Sequence, residues 1–235
     1  LIRSLAMFLL ILMSLLFEVR SIVAFPDVRP WIHSDIYMQR RLDDLSLAPF
    51  NHDYAGSSCN LDMDLTLENR PKGFQLRRKR VWIGRGHDVY TRATEAMRNF
   101  SMIDRIGWAR MVRGGYGDEK GARGMIASEV KCYNTFWSFN PSRFVCDKMN
   151  VRARVAYGPP RTVLVSQVAY STVQGHLISG EERFRVIYDD RGDHSVFFES
   201  LSFTRGAGLI GSFAFPFIRP IQGYFFNDIG VQMQR

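Results

Sequence analysis

An imidazole and two carboxylates crowd into one short stretch of this chain, Gly175-His176-Leu177-Ile178-Ser179-Gly180-Glu181-Glu182-Arg183-Phe184. Those are the groups that general acid–base catalysis, proton shuttling and partial metal ligation draw on. The glycines at both ends indicate backbone angles that a side chain would forbid, so the turn should have a fixed shape. On an enzyme reading, His176 is the catalytic acid or base and Glu181 its orienting or charge-stabilising partner, for a cyclisation, isomerisation or hydrolysis. On a binding reading, Tyr170 beside the turn, His176, Glu182, Arg183 and Arg205 hold a ligand. Strand alternation divides the cluster, because Glu181 and Arg183 share one face and Glu182 takes the other. A structural salt bridge from Glu181 to Arg183, with Arg205 or Arg143 as further partners, is the plainer architectural alternative.

Other chemistries leave no mark. There is no nucleophile elbow, Walker loop, dinucleotide fingerprint or metalloprotease helix, and Gly84-Arg85-Gly86 lacks the third glycine of a phosphate-binding turn. The cysteines Cys59, Cys132 and Cys146 include no C-x-x-C pair, so structural zinc is not expected, and neither a metal nor a cofactor is assigned. Cys132 and Cys146 could pair if they lie on neighbouring strands in an oxidising compartment; otherwise they are free core thiols.

The formal charge of +8 suits anionic membranes or nucleic acid. Much of the excess is local, in Arg77-Arg78-Lys79-Arg80. No arginine-rich recognition helix or aromatic RNA-binding motif accompanies that run, so nucleic acid is not an expected partner. In the secretory route the run would suit a basic-site protease; as a solvated linker it would mark a domain boundary.

Residues 4–17 form an apolar run behind Arg3, shorter than a comfortable bilayer span and shaped like a signal-peptide core. Residues 1–24 are therefore expected to be a cleavable signal peptide or an uncleaved signal anchor. Cleavage after Ala24 would expose Phe25-Pro26, a junction that resembles the signal junction of algae with complex plastids. The expected location is entry into the secretory pathway, onward to a complex plastid or to membrane anchoring. Residues 25–80, rich in proline and polar residues, read as a poorly ordered extension ending in the basic linker, with a short helix at His33 to Leu45.

At 46% hydrophobic composition the remaining 81–235 can bury one good core. Asp88 should cap a helix whose apolar positions Val89, Ala93, Met97, Phe100 and Ile103 form one face. Alternating runs follow at Ile126 to Phe136, Arg143 to Cys146, Val151 to Tyr157, Thr162 to Tyr170, Glu181 to Tyr188 and Ser195 to Thr204, the last two joined by a hairpin loop at Asp189 to Asp193. Short connections favour antiparallel pairing. Pro220 should open a terminal helix with Ile221, Phe225 and Ile229 on one face. The fold class is α+β: a curved antiparallel sheet around a C-terminal helix, leaving a cavity that Phe197, Phe203, Phe213, Phe215, Phe217 and Phe225 could line or fill.

Three blocks resemble the uncharacterised family known as domain of unknown function nineteen-ninety. They are Asn140-Pro141-Ser142-Arg143-Phe144-Val145, the stretch from Tyr170 through Gly175-His176 and Gly180-Glu181-Glu182 to Phe184, and Phe203-Thr204-Arg205. Pro216, Arg219, Pro220, Ile221 and Gln222 match its end pattern, and the resemblance covers about Trp82 to Arg235. Here Ser171 and Val173 replace the family's usual glycine and leucine. Such proteins look like members of the helix-grip, START-like or Bet v 1-like group, which implies an apolar ligand cavity between sheet and terminal helix. The expected partner is a hydrophobic small molecule or lipid, with membrane association through the N-terminal segment. Ligand binding, acid–base catalysis through His176 and a membrane-associated adaptor remain the three open functions.

Overall fold

The computed structural model describes residues 26–61, 65–114, 124–155 and 161–235. The N-terminal apolar run with its cleavage site, and the Tyr157 end of the alternating segment, lie outside them.

Eight strands form one antiparallel sheet: β1 (Asp27–Arg29), β2 (Gln75–Arg85), β3 (Ala109–Arg113), β4 (Met125–Cys132), β5 (Phe136–Val155), β6 (Arg161–Thr172), β7 (Ile178–Tyr188) and β8 (Ser195–Gly206). Their order is β2-β8-β7-β6-β5-β4-β3, with β1 beside β5. The expected runs at Arg143 and Val151 are one strand, β5, interrupted by irregularities between Phe144 and Cys146 and between Lys148 and Val151. Another falls between Trp82 and Gly84 of β2. Extra residues of this kind bend a strand and increase its twist, which curves the sheet.

The concave side holds helix α2 (His87–Asn99), the short α3 (Ser101–Asp104) and the long α4 (Gly208–Met233). Tyr90, Ala93 and Met97 of α2 pack with Phe184, Val186, Phe198, Phe225, Phe226 and Ile229 in the main core. Alternation explains the choice, since Phe184 and Val186 occupy the even face of β7. Gly86 is the residue before α2, while Asp88 lies in its first turn. The expected cap at Asp88 is thus displaced; there the carboxylate still favours the positive end of the helix dipole. The terminal helix also begins earlier than expected, so that Pro216 and Pro220 both lie inside it. Continuous packing on β8 and β2 carries the helix through residues that cannot donate to its ladder.

The convex side carries residues 26–61 and 65–74, and here the expectation of a poorly ordered extension is corrected. Helix α1 (Asp35–Asp44), capped by Ser34, buries Met38 and Leu42 against Met125, Ala127 and Phe139. Farther along, Leu65 and Phe74 pack on Leu201 and Phe203. The basic run is likewise no linker: Arg77 to Arg80 pair with Ser202 to Glu199 of β8. A strand alternates its side chains, so four consecutive cations are dealt to two faces. Arg77 and Lys79 turn to α4, through the Arg219 carbonyl and the Asn227 side chain, while Arg80 lies over the Phe197 ring on the other side.

Candidate functional site

The turn before β7 has the backbone its glycines suggested. Gly175 has φ +92° and Gly180 φ +153°. A Cβ on Gly180 would come within 2.0 Å of the Phe203 carbonyl oxygen, so only glycine lets β7 and β8 close there. The convex segment also grips the turn. Asn51 Nδ2 donates to the Ile178 carbonyl at 3.0 Å, and His52 Nε2 bonds the Gly180 carbonyl at 2.8 Å. A carbonyl only accepts, so Nε2 carries the proton, and Nδ1 is left to accept from Tyr54 N–H at 3.1 Å.

Alternation separates Glu181 and Glu182 as expected, but the partners of Glu181 differ. Its carboxylate accepts from the backbone N–H groups of Gly56 (2.5 Å) and Ser58 (2.8 Å) and from Ser171 Oγ (2.5 Å). Arg183 pairs with Glu199 at 2.7 Å and donates to the Ser58 carbonyl. Arg185 reaches Gln167 and the Asn60 carbonyl. The expected Glu181–Arg183 bridge is therefore replaced by a charged row whose ends are completed by the main chain of residues 56–60. Arg205 lies over the Phe74 ring, and Arg143 donates to the Ser46 and Ala48 carbonyls. Glu181, Arg183 and Arg205 thus sit beneath the convex segment.

Tyr170, His176 and Glu182 do converge. They line a cavity of about 80 Å³ between the concave face and α4, closed over by Ile218, Ile221, Gln222 and Phe225. Of the six phenylalanines considered for the cavity, Phe225 lines it. Phe203 packs under the convex segment, and Phe213 and Phe217 are exposed. His176 accepts from Ile178 N–H through Nδ1 at 3.0 Å, and burial pushes its pKa down to about 3. The ring is therefore neutral and carries its proton on Nε2. Glu182 is half-buried by area, since it borders the cavity, but protein surrounds it. Burial lifts its carboxyl to about 8, a rise that a hydrogen bond from Tyr170 only partly opposes. Its Oε1 has no hydrogen-bond partner. Burial, and then the Glu182 charge, raise the Tyr170 phenol well above its ordinary value. Near neutral pH the site presents a carboxylic acid, a phenol and an imidazole N–H, all uncharged.

Sequence reasoning missed the polar rim supplied by Ser128, Ser138, Asn140 and Thr172. Asn140 belongs to a block quoted above, which was its one signal; its amide donates to Ser138. Of the two alternatives for Cys132 and Cys146, the structure has free thiols rather than a bridge. Cys132 borders the cavity, whereas Cys146 meets Cys59 on the convex side, with Gln167 Nε2 between the Cys59 carbonyl (2.9 Å) and Cys146 Sγ (3.6 Å). All three are free thiols. A larger depression of about 880 Å³ between α1 and β3 opens to solvent, and its Arg110 is already paired with Asp35 and Glu129. Among the described residues no group of three or more His, Cys, Asp or Glu could hold a metal ion, and no helix is long and apolar enough to cross a membrane.

A family model described as a domain of unknown function (DUF1990) matches residues 61–232. UPF0548 protein At2g17695 from Arabidopsis thaliana is 27% identical over 180 residues, covering 75% of this chain and 82% of its own length. The solved structure of hypothetical protein jhp0584 from Helicobacter pylori aligns with a TM-score of 0.42 and 7% identity, over 70% of this chain and 90% of that one. So low a score carries no argument.

Proposed function

This chain belongs to the family described as a domain of unknown function, DUF1990, and we propose that its domain is a helix-grip fold that binds a small apolar or amphipathic molecule. The ligand lies between the concave face and α4, its polar end meeting Glu182, Tyr170 and His176. The observation that carries this reading is Glu182 Oε1, buried at the cavity and without a partner. An unsatisfied buried polar atom costs about 1–3 kcal/mol, which a ligand acceptor or donor would recover. Three uncharged protic groups beside Ile218, Ile221 and Phe225 suit a carbonyl or hydroxyl on an apolar body.

At about 80 Å³ the cavity is far smaller than the roughly 300–1,000 Å³ of drug-sized sites. A larger guest therefore requires the first half of α4 to move. Pro216 and Pro220 each remove a helix hydrogen bond in that half, and Ile218 there, with Ile221 and Gln222 just beyond Pro220, roofs the cavity.

Native mass spectrometry of the full chain, mixed with short- and long-chain ketones and alcohols, tests the reading. Binding of at least one guest, weakened in Glu182→Gln and Tyr170→Phe, is the expected result. A chain that takes up none of them, or binds equally in both variants, overturns it.

The pKa of Glu182 also favours an enzyme reading, with the proton-transfer role moved from His176 to Glu182. A group near 8 can give and regain a proton at neutral pH, whereas an imidazole near 3 is a weak base. Turnover of a bound ketone, followed by solvent-deuterium exchange beside its carbonyl and abolished in Glu182→Gln, would establish it; uptake without exchange leaves a binding protein.

A further inference from the structure

Thr204 and Gln222 have cavity on both sides. Thr204 Oγ1 donates to Gln222 Oε1 at 3.2 Å, and beyond that bond lies a second, polar recess of about 300 Å³ between β2 and α4. Gln75, Arg77, Arg78, Thr204, Arg219 and Gln222 line it, with Leu76 and Phe215, and none of these is acidic. Arg77 spends one N–H on the Arg219 carbonyl, at 3.2 Å. Neither the partly buried Arg77 nor the exposed Arg219 has a carboxylate partner among the described residues. Arg78 lines the recess from β2, but its guanidinium turns to the convex side and donates to the Leu65 carbonyl. Burial, followed by the nearby Arg219 charge, lowers the Arg77 pKa, as expected of like charges held together.

The helix accommodates this arrangement. A Cβ on Gly223 would lie 2.7 Å from Arg77 Nη1, so glycine in the helix interior gives the guanidinium room against α4. Gln222, accepting through Oε1, keeps its amide NH2 free to donate. Two guanidinium forks and the side-chain amides of Gln75 and Gln222 around one small space match the charge and the several acceptors of a tetrahedral oxyanion.

We propose that this recess is an oxyanion site that takes a phosphate group between Arg77 and Arg219, with the side-chain amides of Gln75 and Gln222 completing its hydrogen bonds. The site does not depend on the neighbouring apolar cavity being occupied. Its phosphate comes from a soluble phosphate monoester or from an anionic lipid headgroup.

Isothermal titration calorimetry of the full chain with inorganic phosphate at low ionic strength tests the soluble source. Co-flotation with phosphatidylcholine vesicles, with and without phosphatidic acid, tests the lipid. The expected result is one phosphate per chain, weakened about tenfold or more in Arg219→Gln and in Arg77→Gln. Gly223→Ala should weaken it too, because the new methyl displaces Arg77, while leaving the melting temperature unchanged or raised. That variant separates lost binding from lost folding. Phosphatidic-acid-dependent flotation that Arg219→Gln abolishes, without binding of free phosphate, supports the site and assigns it to a lipid headgroup. Absence of both, or binding that the three variants leave unchanged, overturns it.

Discussion

Glu182 lies directly opposite Tyr170 in the β6–β7 register, and its Oε1 is buried at the cavity without a partner. One strand position away, Glu181 has three donors to its carboxylate. Adjacent, chemically identical side chains are thus placed in opposite circumstances by a strand's two-residue period.

Glu182 should make the protein less stable as pH rises. Its folded pKa of about 8 exceeds the unfolded value of 4.5, so between these values the folded state holds a proton that the unfolded state has lost. Stability should therefore fall from about pH 4.5 to pH 8, by on the order of 3 kcal/mol after allowance for partial screening. Urea unfolding across that range should show the slope in the wild type and a smaller one in Glu182→Gln. Parallel slopes would count against a buried neutral carboxyl.

His33 should tie the convex segment to the sheet most firmly in mildly acidic solution. Its Nδ1 lies 2.6 Å from Glu129, its Nε2 3.3 Å from Asp27, and its backbone N–H donates to Glu129 at 2.7 Å. Arg110 also pairs with Glu129 and Asp35, Arg29 with Asp27, and the Tyr37 hydroxyl donates to Asp27. Burial opposes a charge on His33, but the two carboxylates outweigh it and raise the pKa. For Asp27 burial is likewise outweighed, by His33 and Tyr37, and the pKa falls to about 2; Glu129 is lowered too. The His33 contribution is complete below the unfolded value near 6.5 and is lost as pH rises through the folded pKa. The Asp27 contribution is lost as pH falls from about 4 towards 2. At pH 6, His33→Ala should cost about 2–4 kcal/mol, because a buried carboxylate loses a partner. Its effect should shrink at pH 9, which chemical denaturation at both values would reveal.

Truncation at residue 61, where the family match begins, should give an unstable protein. The cut removes the Gly56 and Ser58 N–H groups from Glu181, the Ser58 carbonyl from Arg183 and the Asn60 carbonyl from Arg185. Uncovering and stripping partners from such buried charges should cost several kcal/mol, on the scale of about 3–5 for one broken buried pair. Circular dichroism melts of chains beginning at residues 26 and 61 provide the comparison; equal melting temperatures would contradict the covering role.

Mild oxidation should join Cys59 to Cys146 and spare Cys132. The Cys59 S–H bonded to Cys146 raises the first thiol and lowers the second, leaving Cys146 the better thiolate. With diamide as oxidant, the two thiols lose two protons and two electrons as the S–S bond forms. Peptide mapping should find that crosslink, absent from Cys59→Ser; a dominant Cys132 crosslink would be incompatible with the geometry.

Local pattern was enough to place α2, most strands, the β7–β8 hairpin and the division between Glu181 and Glu182, because each depends on residue periodicity. The Gly175 and Gly180 conformations were legible for a similar reason: the absence of a Cβ is written in the residue itself. The convex segment was not legible. Its order comes from Asn51, His52, Gly56, Ser58 and Asn60 meeting groups more than a hundred residues away, and polar loop composition carries no trace of such partners. Cys59 was overlooked as a partner of Cys146 for the same reason.

The sequence by itself determined the α+β class and the antiparallel pairing, and it offered five candidate ligand residues, of which the tertiary structure brings Tyr170, His176 and Glu182 to one cavity. Periodicity and glycine content act within a few residues and need no distant partner. Only the tertiary structure decided that the basic run is an edge strand and that Glu181 is satisfied by backbone rather than by Arg183. It also decided that Glu182, rather than His176, holds an exchangeable proton near neutral pH. Those outcomes depend on desolvation and on which groups arrive from afar, and burial is a property of the assembled chain.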